Sequence, residues 1–118
     1  NYDAASVNAA AQGLAEAGLA QRLMIDTSHA NSSKDPQKQI DVGHDVAQQL
    51  TGGEDRIFGI MVESHLKAGR QDLVPGKPLT YGQSITDGCI GWDDSRKLLD
   101  VLAEAVRKRR VKLLETEQ

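Results

Sequence analysis

The stretch RIFGIMVES, Arg56 to Ser64, constrains the fold more than any other part of the chain. It is a near-continuous apolar run of strand length, with nothing polar between Ile57 and Val62. A strand with one wet face alternates apolar and polar residues, so an unbroken run implies burial on both faces, as in a parallel sheet covered by helices. Parallel neighbours need long crossover connections, usually helical, and the flanking sequence supplies them.

Upstream, Asp3 to Ala17 reads as a helix: Asp3 can cap it, Val7, Ala10, Ala11 and Leu14 share a stripe, and Gly18 suits a left-handed stop. RLMIDTS, Arg22 to Ser28, then reads as a strand. A second helix is expected with Asp35 at its N-cap and Pro36 at N1, with Ile40, Gly43, Val46, Ala47 and Leu50 on one face until Gly52 and Gly53 stop it. Downstream, residues 65–82 carry Gly69, Pro75, Gly76, Pro78 and Gly82, which predicts a long loop with room for a small hairpin. A short strand is expected around Gln83 to Thr86. A last helix, capped by Asp93 or Asp94, carries Leu98, Leu99, Leu102, Val106 and Arg109 at helical spacing. RKRR at 107–110 falls in its last turns, where the helix dipole favours positive charge, and reads as a solvated end.

The order helix, strand, helix, strand, loop, strand, helix predicts an α/β fold with a parallel sheet and right-handed crossovers. Three parallel strands make a poor free-standing domain, so part of a larger barrel is the better expectation. The first residue is Asn1, not Met, which points the same way. With 14 Lys+Arg against 17 Asp+Glu, a net −3, the chain gives no support for nucleic-acid binding. One cysteine, Cys89, excludes an internal disulfide framework and fits a reduced, cytoplasmic setting. No apolar run approaches the roughly 18–20 residues of a membrane span, and no signal-peptide pattern is present.

Three residues that can carry chemistry share one address. His29 follows the first strand, Glu63 ends the second and Asp87 follows the third, so all three fall at the carboxyl edge of a parallel sheet, where such folds build their sites. One imidazole and two carboxylates suit a divalent cation, although their spacing matches no local metal motif. Each residue also has a plain reading: His29 as a surface hydrogen-bonding group, Asp87 as a turn cap. Glu63 is harder to set aside, because an acid ending an apolar run is costly to bury unpaired. HANSSK, 29–34, offers backbone N–H groups, hydroxyls and Lys34 as an anion cradle, or is an ordinary polar loop. Asp26 reads as a structural hydrogen-bonding group and Cys89 as a small packed residue. His44 reads as solvated, and His65 as directed away from Glu63.

MIDTSHANSSK, GIMVESHL, GKPLTYGQSITDGCIGW and the closing LLDVLAEAVRKRR together resemble the C-terminal part of type I 3-deoxy-D-arabino-heptulosonate 7-phosphate (DAHP) synthase, from about Asn1 to Arg110. The resemblance implies that residues 1–118 are one segment of a single (β/α)8 TIM-barrel domain, about strands six to eight with flanking helices. It implies an aldol-like condensation of phosphoenolpyruvate with erythrose 4-phosphate, the first step of the shikimate pathway to aromatic amino acids. By motif, His29, Glu63 and Asp87 become ligands of a divalent metal ion (Mn, Fe, Co or Zn). His29 would also be catalytic and lie beside phosphoenolpyruvate, with Asp87 contributing to substrate binding. The family's fourth ligand, a cysteine near the start of the barrel, has no counterpart here, since Cys89 does not match its position. Most substrate-clamping basic residues and the feedback-inhibitor segments also lie outside this stretch. The chain alone is therefore expected to be inactive, and the parent protein to be a cytoplasmic homo-oligomer. The alternative from a different class is a non-catalytic metal- or phosphate-binding α/β fragment that self-associates to hide its strand edges.

Overall fold

A computed structural model describes residues 1–117. Helix α1 (Ala4–Glu16) starts where expected: Asp3 is its N-cap, and its carboxylate accepts from the Ser6 backbone N–H and hydroxyl. Gly18, at φ +73°, takes the left-handed turn beyond its end. Strand β1 (Leu23–Asp26) and strand β2 (Ile57–Met61) pair in parallel, with Ile25 opposite Ile60 and Asp26 opposite Met61. Between them runs α2 (Lys38–Thr51), and the long α3 (Trp92–Glu117) closes the chain.

The core lies between one face of this sheet and the helices. Ile25 and Ile57 from the strands meet Val42, Val46 and Leu50 of α2 and Leu98, Leu102 and Ala105 of α3, with Val7 of α1 completing the cluster. At Gly43, α2 lies close against α3: a Cβ on it would sit 2.6 Å from Leu98 Cδ1.

Several expectations are corrected. RIFGIMVES is not buried on both faces: Ile57 is buried and Phe58 is 63 % exposed, because the helices cover only one face of the sheet. Gln83 to Thr86 does not form the third strand; Ser84 makes one isolated bridge to Arg70. The place beside β2 is taken instead by Ile90, which bridges Ser64 in parallel; its N–H donates to Glu63 O at 3.0 Å and its carbonyl accepts from His65 N–H at 3.0 Å. Ile90 is fully buried and Ile85 is 45 % exposed, so burial selects the later residue. The start of α3 at Trp92 then leaves room for only this bridge.

Helix α2 begins at Lys38, not at Pro36. Asp35 Oδ1 accepts from Gln37 N–H, and the N–H groups of Lys38, Gln39 and Ile40 each reach back three residues, so a tighter turn precedes the helix. Asp93 and Asp94 lie inside the first turn of α3, where they still complement its dipole. Because α3 runs on to Glu117, RKRR lies in the helix interior. Arg109 is not solvated but tied to the sheet, donating from Nη1 to Glu54 O at 3.1 Å and Ile57 O at 2.9 Å. In the 65–82 loop, Lys67 N–H donates to Gly82 O and Gln71 N–H to Ser84 O, folding it back on itself.

Candidate metal centre

β1 ends at Asp26, and the backbone then changes hand. Thr27 points inward and is fully buried, Ser28 is extended, and His29 takes φ +53°, opening a 3₁₀ turn over His29–Ser32. This turn carries the imidazole over the carboxyl edge of the sheet. Its Nδ1 donates to Asp26 Oδ2 at 2.8 Å, which fixes the tautomer and leaves Nε2 facing the edge. Asp26 is the structural hydrogen-bonding group expected from the sequence: it also accepts from Ser28 N–H at 2.7 Å, tying the start of the turn.

Glu63 lies two residues past β2 and is held at several points. Ser28 Oγ donates to its Oε2 at 3.0 Å, and Oε1 is left 3.4 Å from His29 Nε2. Asp87 arrives from the loop before the Ile90 bridge rather than from the end of a strand, and its Oδ2 lies 3.7 Å from His29 Nε2. All three residues named from the sequence therefore meet, with one ligand atom of each within 4.8 Å of the others.

The remaining candidates separate. Lys34 lines the same cleft, of about 200 Å³, together with Ser28, Arg70, Thr86 and Gly88. In HANSSK the N–H groups of Asn31, Ser33 and Lys34 bond carbonyls within the turn, which takes these three out of an anion cradle. His65 is exposed and its Nδ1 accepts from Leu66 N–H, away from Glu63. His44 lies on α2, exposed, and lines a groove between α2 and α3 that shares no residue with this cleft. Cys89 is buried, which pushes its thiol pKa up, and its Sγ donates to Asp87 O; it packs rather than ligates. Sequence reasoning did not assign Arg70, which donates from Nε to Thr86 O at 2.8 Å and from Nη2 to Asp72, steadying the loop that delivers Asp87.

Electrostatically, the hydrogen bond and charge of Asp26 raise the His29 pKa above its ordinary value, with Glu63 and Asp87 adding to the effect. The cluster therefore favours a positive charge at this point. One imidazole nitrogen and two carboxylate oxygens are the donor set of a borderline or hard divalent ion. With metal–ligand bonds of about 2.0–2.2 Å, donors on one ion lie roughly 3–4.4 Å apart, and the two His29 separations, 3.4 and 3.7 Å, fall in that range. The Asp26 contact is the kind of outer partner that orients a ligating histidine.

Residues 1–100 match the family described as the DAHP synthetase I family. The chain is 57 % identical over 110 residues to the Phe-sensitive phospho-2-dehydro-3-deoxyheptonate aldolase of Escherichia coli K12, covering 93 % of this chain and 31 % of that protein. It is 54 % identical over 110 residues to the phospho-2-dehydro-3-deoxyheptonate aldolase of Haemophilus influenzae, covering 93 % and 30 %. The solved structure of the phospho-2-dehydro-3-deoxyheptonate aldolase from Francisella tularensis SCHU S4 superposes with a TM-score of 0.87 at 45 % identity, covering 92 % of this chain and 31 % of that one. The chain thus spans about a third of the length of the relatives it matches.

Proposed function

The chain belongs to the DAHP synthetase I family, and from that premise we propose that the intact gene product is a DAHP synthase in which residues 1–118 form the C-terminal part of one (β/α)8 barrel domain. In this reading β1, β2 and the Ile90 bridge are strands six, seven and eight, and His29, Glu63 and Asp87 are metal ligands. The reaction joins C3 of phosphoenolpyruvate to the aldehyde carbon of erythrose 4-phosphate; water adds at C2 of the former and inorganic phosphate leaves, giving the seven-carbon acid phosphate. A divalent cation, whether Mn, Fe, Co or Zn, supplies Lewis-acid polarisation of the aldehyde when bound.

The chain's own residues do the positioning. Asp26 holds His29 so that Nε2 faces the edge, and Ser28 fixes one oxygen of Glu63 so that the other is presented beside it. Lys34 and Arg70 bring positive charge into the same cleft, the complement that phosphorylated substrates require. His29 lies beside phosphoenolpyruvate in this reading, and Asp87 contributes to substrate binding. The protein acts as a cytoplasmic homo-oligomer, and the isolated chain, with a third of its relatives' length, forms no product.

The observation that carries the reading is the meeting of one imidazole and two carboxylates at a single sheet edge, His29 Nε2 lying 3.4 Å from Glu63 and 3.7 Å from Asp87. In the intact gene product, His29→Ala should abolish metal-dependent DAHP formation and weaken Mn²⁺ binding measured by electron paramagnetic resonance. Retained activity would refute the ligand assignment.

A further inference from the structure

We infer that Gln39, at the start of α2, is a positioning residue for Glu63: its side-chain amide brackets the Glu63 peptide and thereby sets the carboxylate that faces His29. The inference rests on the reading of Glu63 as a metal ligand.

Gln39 is fully buried, unusual for a glutamine in the first turn of an amphipathic helix. Its amide makes contacts that leave no ambiguity of orientation. Glu63 N–H can only donate, and it donates to Gln39 Oε1 at 2.8 Å. Glu63 O can only accept, and Gln39 Nε2 donates to it at 3.1 Å. The amide thus engages both polar groups of one residue, as a neighbouring strand would. This contact begins two residues after β2 has ended at Met61.

The bracket is itself anchored. Thr27, also fully buried, places its hydroxyl 2.9 Å from both Gln39 Oε1 and Met61 O, so the residue after β1 meets the helix amide and the end of β2 at one point. On the other side Glu63 O accepts a second bond, from Ile90 N–H at 3.0 Å, using both its lone pairs. The Glu63 backbone is therefore fixed from α2 and from the Asp87–Ile90 segment, while Ser28 Oγ fixes Oε2. Oε1, the carboxylate oxygen not bonded by Ser28, is the one beside His29 Nε2.

A methionine at position 39 keeps length and apolar volume but leaves Glu63 N–H without its partner in a buried place. A glutamate sets a carboxylate oxygen against the Glu63 carbonyl. Outer partners of metal ligands are typically worth 10- to 100-fold in affinity. Gln39→Met and Gln39→Glu in the intact gene product should therefore weaken Mn²⁺ binding, read by electron paramagnetic resonance, by about 10-fold or more. They should also change the visible spectrum of the Co²⁺-loaded protein, which a merely structural loss in the folded fraction would scale without altering its shape.

Val46→Ala, which removes core volume without touching Glu63, is the control and should leave affinity per folded molecule and the spectrum unchanged. Mn²⁺ affinity unchanged in folded Gln39→Met, or equally lowered in Val46→Ala, overturns the inference. Failure of the unsubstituted protein to bind Mn²⁺ would instead overturn the metal reading on which it rests. Should Gln39→Met fail to fold, Gln39→Glu, which keeps the side-chain length and the acceptor for Glu63 N–H but loses the donor to Glu63 O, carries the test; unchanged Mn²⁺ affinity there overturns the inference as well.

Discussion

Gly43→Ala should change sign in its effect on stability according to what stands at position 98. Alanine is favoured over glycine in a helix interior by about 1 kcal/mol, so the substitution taken alone should stabilise α2. The added methyl, however, would lie 2.6 Å from Leu98 Cδ1 and 3.3 Å from Cδ2, against an ordinary carbon contact of about 3.5–4.0 Å. Leu98 is 3 % exposed and sits in the core with Leu102 and Ile57, so its branch has little room to move the ångström required. Overpacking of this kind costs about 1–3 kcal/mol, which outweighs or cancels the helical gain and gives a net change between roughly zero and 2 kcal/mol destabilising. Leu98→Ala alone should cost about 2–5 kcal/mol through the cavity it leaves. In that background the clash is gone and the new methyl fills part of the cavity, so Gly43→Ala should become stabilising by about 1 kcal/mol or more. Urea unfolding of the four proteins in this cycle, followed by circular dichroism, measures the coupling. An identical effect of Gly43→Ala in both backgrounds would refute the close-approach argument.

Two further outcomes test the scaffold. Arg109→Met keeps the apolar stem but removes the donors to Glu54 O and Ile57 O; loss of these charge-assisted bonds should cost about 2 kcal/mol in urea unfolding, and a change below a few tenths would show that the link contributes nothing. Glu54 is bound by the Arg56 side chain, which lowers its pKa from the usual 4.5. A depressed folded value means that the stabilisation is complete above the unfolded pKa and is lost as pH falls through the folded one. Glu54→Gln should therefore flatten the fall in stability below about pH 4.5, and an unchanged acid slope would show that other carboxylates set it.

Much of the architecture was legible because it rests on local rules. Asp3 caps α1, Gly18 ends it, and the 40–43–46–47–50 stripe does face the core. The meeting of His29 and Glu63 was legible for a topological reason, since a parallel sheet sends every strand's carboxyl end to one edge; Asp87 reaches that edge from a loop and not from the strand expected before it. What escaped depends on distant partners. QSIT has the local look of a strand, but Ile90 wins the place beside β2 through complete burial. Arg109 looks like the rest of RKRR until the carbonyls of Glu54 and Ile57 come within reach, more than fifty residues away in sequence. Gln39 left a faint signal, since it lies three, four and seven residues before Val42, Gly43 and Val46 on the buried stripe. A polar residue in such a register asks for a buried partner, and no spacing rule identifies the backbone of Glu63 as that partner.

The left-handed turn at His29 has one more consequence. In a pleated strand neighbouring side chains face opposite ways, so Ser28 and His29 could not both reach Glu63 had β1 simply continued. With φ of His29 at +53°, they do: the hydroxyl takes one carboxylate oxygen at 3.0 Å and the imidazole faces the other at 3.4 Å. The two form a pincer that exists only at this count of residues after Asp26. Inserting or deleting a single residue would swing one jaw to the far side of the sheet, whatever its chemistry. Length, more than composition, is where this loop has no freedom to drift.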